Sequence, residues 1–221
     1  MHFDFDSMTL PALIFLDFDG VIMDSMILKL DAYCFALKEY GFSREKIREQ
    51  QLLYAGLSRS RALPMMYASL AGKSLGEEEK ERSLRLFAEE DDRLRPKMRL
   101  KPGALEFLKK FHARIPLVVV TGTPQEAIDK TIALFELGSF FREICGHPPV
   151  KAVHLRNLLS RFQIEPQKTL FVGDAIQDYK AARETDIPFI GINNGDNPFK
   201  GLPLQAELHD LEDLGEWMEK A

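Results

Sequence analysis

Four short apolar runs divide the chain, and each ends on residues that stop or bend a strand: ALIFLDFD (12–19), IPLVVVTG (115–122), KTLFVGD (168–174) and IPFIGIN (187–193). None alternates apolar with polar residues. Continuous apolarity over so few positions suits strands buried on both faces, which is the condition of a parallel sheet covered on both sides. FREICG (141–146) reads as a further strand of the same sheet. Between the runs lie helical patterns at 103–112, 124–137, 150–162 and 176–185, the third carrying Leu155, Leu158, Leu159 and Phe162 on one face. Pro102 marks the start of the first. Repeated strand and helix predict an α/β fold, a Rossmann-like, doubly wound parallel sheet.

Residues 24–96 break this rhythm and read as helices throughout. Ile27, Leu30, Cys34 and Leu37 fall at helical spacing ahead of Gly41, and further helices are expected over 43–53, 58–71 and 76–95. The expected organisation is a core domain of residues 1–23 plus 97–221, interrupted by an all-helical cap domain at 24–96. The charged run GEEEKERSLRLFAEEDDRLR (76–95) reads as a solvated helix face, with Glu78 and Arg82, Glu81 and Arg85, and Glu89 and Arg93 each placed to pair. NNGDNPFKGLP (193–203) reads as a loop.

With 221 residues, 45% of them hydrophobic and 29% charged, the chain can bury a large core. A net charge of −5 without a basic block excludes the footprint of a nucleic-acid binder. Cys34 and Cys145 form no CxxC and have no nearby His pair, so two reduced thiols are expected rather than a zinc site or a disulfide framework. The first twelve residues hold Asp4 and Asp6 but no Lys or Arg, and no apolar run approaches the length of a membrane span. A soluble cytoplasmic protein without membrane partners is expected.

In a doubly wound sheet, ligands bind beyond the carboxyl ends of the strands. Here those ends carry Asp17 and Asp19, then Thr121 and Gly122, then Asp174 with Asp178 one helical turn on; Lys151 stands at the entrance to the helix after the FREICG strand. Two unit charges about 4 Å apart interact by roughly 1 kcal/mol in water and roughly 4 kcal/mol at an effective dielectric near 20. Four clustered carboxylates would therefore take up protons or hold a cation, and an all-oxygen shell with room for water suits Mg²⁺. Thr121 offers a hydroxyl, Gly122 a backbone N–H and Lys151 a positive charge to phosphate oxygens. One carboxylate can be the nucleophile and the second a general acid and base. The same residues also have plainer readings: Thr121 as a helix N-cap ahead of PQEAI, Asp178 as a solvated helix residue, and Asp24 and Ser25 as caps of the first cap helix.

DFDGVIMDS, VVVTG, Lys151 and FVGDAIQDYKAARETDIPFIGIN resemble, in order, the four motifs of the haloacid dehalogenase superfamily of phosphohydrolases. The branch is the one with a helical cap after the first strand, similar to phosphoglycolate phosphatase and β-phosphoglucomutase. The resemblance implies Asp17 as nucleophile and Asp19 as general acid and base. It implies Mg²⁺ held by Asp17, the Asp19 backbone carbonyl and Asp174, with Asp178 helping directly or through water, and Thr121 and Lys151 gripping phosphoryl oxygens. A carboxylate at Asp19 favours phosphomonoester hydrolysis, or phosphoryl shuttling on a sugar, over dehalogenation. AGLSRSRAL (55–63) resembles a substrate-reaching cap loop and offers Ser58, Arg59 and Arg61, with Arg59 foremost; Lys29 on the first cap helix could also face the cleft. The implied partner is a small phosphorylated metabolite, a sugar phosphate or a phosphoglycolate-like ester; no oligomeric state follows. A hexose-phosphate mutase is the second reading, weakened by Lys29 where mutases place a His. A binding or regulatory protein that keeps the fold without turnover is the third. ETDIP departs from the family's usual AGIP turn. The other DFD, residues 4–6, has no apolar strand before it and no Gly after it, and reads as a solvated tail.

Overall fold

The computed structural model describes residues 10–220; the tail reading of residues 4–6 lies outside them. In chain order, β1 (Leu13–Leu16) and β2 (Met23–Asp24) precede four helices, α1 (Met26–Ala36), α2 (Arg44–Leu53), α3 (Arg59–Ala71) and α4 (Glu77–Leu94). Then come β3 (Arg99–Leu100), α5 (Ala104–Phe111), β4 (Leu117–Pro124), α6 (Gln125–Leu134), β5 (Glu143–His147) and α7 (Lys151–Phe162). The chain continues through β6 (Thr169–Gly173), α8 (Ile176–Glu184), β7 (Phe189–Ile192), β8 (Ala206–Leu208) and α9 (Leu211–Lys220).

Six strands form one parallel sheet in the order β5-β4-β1-β6-β7-β8. From β1 the chain works outward through β4 to β5, then crosses back to β6 and outward to β8. The reversal lies at β1 and β6, so the carboxyl ends of β4, β1 and β6 stand side by side at the switch point where such sheets bind ligands.

The unbroken apolarity of β1 has a direct cause. Ile14 and Leu16 face a cluster that includes Phe107, Phe111 and Leu214 from α5 and α9. Leu13 and Phe15 face Leu155, Leu158 and Ala182 from α7 and α8. All four are 0% exposed, which leaves no face for a polar residue. The four inserted helices bury a separate cluster, among them Leu30, Tyr33, Leu37, Ile47, Leu63, Met66 and Phe87.

Several expectations need correction. Asp24, read as the start of the helical insertion, lies in a strand with Met23: β2 pairs antiparallel with β3, and Lys101 N–H donates to the Ile22 carbonyl at 2.9 Å, so the strands entering and leaving the helical insertion are stitched together. Of the expected face of the first cap helix, Leu30 and Leu37 are buried, Cys34 is half-buried and Ile27 is 67% exposed; Ala32, Tyr33 and Ala36 complete the buried face. Of the three anticipated pairs on α4 none forms: Arg82 reaches Glu39, Arg85 meets Glu89, and Arg93 turns back to Glu90. Nor is that helix solvated to its end, because Glu90 and Asp91 are buried. Thr121 lies inside β4, and the N-cap of α6 is Pro124. Both cysteines are free. Among the described residues no helix is long and apolar enough to cross a membrane.

Candidate active site

Asp17 is the first residue past β1, and its N–H still bonds to the Val172 carbonyl at 2.9 Å, so the sheet itself fixes its position. Its Oδ1 accepts from the Phe18 N–H at 2.7 Å and its Oδ2 lies 2.7 Å from Lys151 Nζ. The chain then turns tightly, with the Ile22 and Met23 N–H groups both donating to the Phe18 carbonyl. That turn aims Asp19 toward the insertion. Ser25 Oγ donates to Asp19 Oδ1 at 2.5 Å, Thr123 Oγ1 to Oδ2 at 2.7 Å, and Lys29 Nζ to Oδ2 as well. Burial raises the Asp19 pKa, but the Lys29 charge and the three hydrogen bonds outweigh it and hold the group below its ordinary value. Ser25 therefore acts on Asp19; it makes no side-chain cap of α1, and Asp24 sits exposed in β2.

A second set of carboxylates meets Asp17. Asp174 follows β6, and Asp178, in the first turn of α8, is fully buried and accepts from the Ala175 N–H at 3.0 Å. Its reading as a solvated residue is overturned. Asp17, Asp174 and Asp178 each offer an oxygen within 4.8 Å of the others. The sequence makes room for this: at Gly20, with φ +79°, a Cβ would lie 1.8 Å from Asp174 Oδ2, and at Gly173 one would lie 2.4 Å from Asp178 Cβ. Asn194 Nδ2 donates to Asp174 Oδ2 at 2.9 Å and to the Gly20 carbonyl at 3.1 Å.

Lys151, the first residue of α7, bridges Asp17 and Asp178. Burial disfavours its charge, yet those two carboxylates prevail and raise its pKa above the ordinary value. One ammonium does not balance three carboxylates. Burial and the charges of Asp17 and Asp178 push Asp174 well above the carboxylate range, and burial with Asp17 pushes Asp178 to about 7 against the pull of Lys151. Such a cluster gains by holding a cation, and its all-oxygen donors fit Mg²⁺.

Thr121 is buried, and its Oγ1 accepts from the Thr123 N–H at 3.2 Å. Gly122 lies close against the insertion: a Cβ there would come within 3.0 Å of the Gly56 carbonyl. Gly56 itself, with φ +79°, leaves no space for a Cβ against Gln177 and Ala175. The loop before α3 thus seats directly on the sheet's carboxyl end and borders a half-open cavity of about 80 Å³.

Asp17, Asp19, Thr121, Lys151 and Asp174 line this cavity from the sheet side. From the insertion come Lys29 and Arg59, as expected, and also Tyr33, Gln51 and Asp91, which the sequence reading missed. The Arg59 guanidinium lies over the Phe87 ring at 5.6 Å, which fixes its direction. Ser58 does not line this cavity; it is buried beside Ser60, 3.1 Å away, and faces a neighbouring space with Arg61.

The fold is that of a Rossmann-like α/β protein with a helical cap after its first strand. Residues 13–192 match the family described as haloacid dehalogenase-like hydrolase, and the chain belongs to that family. It is 26% identical over 209 residues to phosphoglycolate phosphatase 1 of Pseudomonas aeruginosa, covering 91% of this chain and 76% of that protein. It is 29% identical over 207 residues to a phosphorylated carbohydrates phosphatase of Thermotoga maritima, covering 87% and 90%. A solved haloacid dehalogenase-like family hydrolase from Streptococcus pneumoniae shares the fold with a TM-score of 0.77, covering 94% of this chain and 98% of that one at 20% identity. The chain is an enzyme, a hydrolase of the phosphatase type.

Proposed function

We propose that the chain is an Mg²⁺-dependent phosphatase that hydrolyses a small phosphorylated metabolite through an aspartyl phosphate on Asp17, with residues 24–96 serving as its cap. The observation that carries this reading is the division of labour between two carboxylates. Asp17 faces Lys151 and the acidic cluster, whereas Asp19, two residues on, faces away to Ser25, Lys29 and Thr123.

In the first half-reaction an Asp17 oxygen bonds to phosphorus, the bond from phosphorus to the ester oxygen breaks, and Asp19 gives that oxygen a proton. In the second, water attacks the same phosphorus, Asp19 takes its proton, and inorganic phosphate leaves with Asp17 restored. The contacts that hold Asp19 ionised suit this second role. Lys29 comes from the cap, so its departure as the cap opens would let Asp19 take up the proton it must deliver first. Thr121 and Lys151 grip the phosphoryl oxygens. Asp17, the Asp19 carbonyl and Asp174, with Asp178 directly or through water, would hold Mg²⁺, whose charge would offset that of the phosphoryl group.

The cavity between the insertion and the sheet is half open, so its lining rather than its volume selects the ester. Lys29 and Arg59 on its wall favour a polar or acidic one, of the sugar phosphate or phosphoglycolate type, as the names of the relatives also suggest.

Hydrolysis of an aryl phosphate that requires Mg²⁺ and stops with EDTA is the first expectation; turnover indifferent to EDTA would remove the metal from this reading. Asp19→Ala should turn over about 10²–10⁴-fold more slowly while Mg²⁺ still raises its melting temperature. Wild-type rates in that variant would exclude Asp19 from the chemistry. Arg59→Ala should raise KM for the physiological ester more than for an aryl phosphate, since only the former reaches the cap. Equal effects on both would show that Arg59 does not read the substrate.

A further inference from the structure

A second cavity, of about 170 Å³, shares Gly56, Leu57, Gly122 and Lys151 with the first as a common wall. Its other sides are built from both parts of the molecule: Arg61 on α3 of the insertion, and His147 at the end of β5 with Lys180 and Glu184 on α8 of the sheet domain. The charges do not cancel. Glu184 is engaged by Arg156 on α7, while the side chains of Arg61 and Lys180 have no hydrogen bond or ion pair among the described residues. Lys151 spends its charge on Asp17 and Asp178. Burial and the Arg61 charge hold the His147 pKa below its ordinary value, so its imidazole is neutral and offers one donor or acceptor rather than a counter-charge. Two cations without partners line one half-open cavity from opposite sides of a seam, and an anion between them would pair with both.

We propose that this seam cavity is a second oxyanion site, taking a small dianion of the inorganic phosphate class between Arg61 and Lys180 and so tying the insertion to the sheet domain. The site is separate from the one that holds Asp17 and does not rest on the catalytic reading above. It also gives Arg61 a role other than contact with the ester in the first cavity, which it does not line.

Titration calorimetry of the full chain with inorganic phosphate at low ionic strength tests it. Arg61→Ala and Lys180→Ala should each bind one phosphate fewer than the unaltered chain, and chloride at equal ionic strength should not replace the lost event. Both side chains are exposed, so neither substitution endangers the fold. Unchanged stoichiometry in both variants would overturn the site, and a loss in only one of them would overturn the bridge. Aryl phosphate hydrolysis on the same samples keeps the two readings apart: a chain that binds the extra phosphate but hydrolyses nothing would refute the catalytic assignment and leave the seam site standing.

Discussion

Asp17→Asn should lower turnover of an aryl phosphate by about 10⁴-fold or more while the chain stays folded. The amide has nearly the shape of the carboxylate and can still accept from the Phe18 N–H, and Lys151 keeps Asp178 as its partner. What it lacks is the anionic oxygen that attacks phosphorus, and no neighbour can supply it from the same place: Asp19 is turned toward Ser25 and Thr123, and Asp178 has its two oxygens committed to Lys151 and the Ala175 N–H. Initial rates on purified variant, with thermal unfolding as the control for folding, decide the matter. Undiminished turnover would sink the aspartyl-phosphate mechanism.

The sheet, and the acids that stand at its carboxyl end, were legible in the sequence for a common reason. A strand buried on both faces leaves no choice but apolar residues, so Leu13 to Leu16 announce themselves, and the acids that follow mark where burial ends. Where that constraint weakens, so does the signal. β8 is three residues of an edge strand, none of them buried, and β2 and β3 are two residues each, too short to show a period. α9 follows such an edge and went unread, though Leu211, Leu214 and Met218 keep a helical spacing on its buried face.

Within the site the missed groups divide by whether a local rule pointed to them. Thr123 lies two residues beyond Thr121, but β4 is irregular between Val120 and Pro124, so no pleat rule carried it to Asp19. Asp91 was hidden by its charged neighbours, yet Phe87 and Leu94, four before and three after it, are both buried, and a carboxylate between them on α4 must face inward too. Asn194 had no such flag. It sits in an irregular loop after β7, and only the folded sheet brings it to Asp174. Ser58 and Arg59 show the reverse: the N-cap and the first residue of α3 line different cavities, a distinction set by that first turn and invisible to a motif.

Asp174→Asn should abolish the response to Mg²⁺, in both activity and stability, and should make the metal-free chain more stable than the unaltered one. Folding forces Asp174 close to Asp17 and Asp178 with one ammonium among them, and both Asp174 and Asp178 bind a proton more tightly in the folded chain than in the unfolded one. Where the native state holds more protons, stability falls as pH rises. For Asp178 that loss runs from its ordinary value of 3.8 up to about 7. The metal-free enzyme should therefore weaken across this window. The Asn side chain removes one charge and can still accept from Asn194. A gain on the order of 1 kcal/mol would raise the melting temperature by about 2–4 °C, as for a chain of this size. Mg²⁺ binds the deprotonated cluster, so its benefit should grow with pH over the same range; at about 100 times its dissociation constant it adds roughly 2.7 kcal/mol to the unaltered chain and nothing to the variant. Thermal unfolding between pH 5 and 8, with Mg²⁺ and with EDTA, reads all three quantities. An equal Mg²⁺ increment in Asp174→Asn would remove Asp174 from the metal site, and a less stable metal-free variant would show that the carboxylate stabilises the fold rather than straining it.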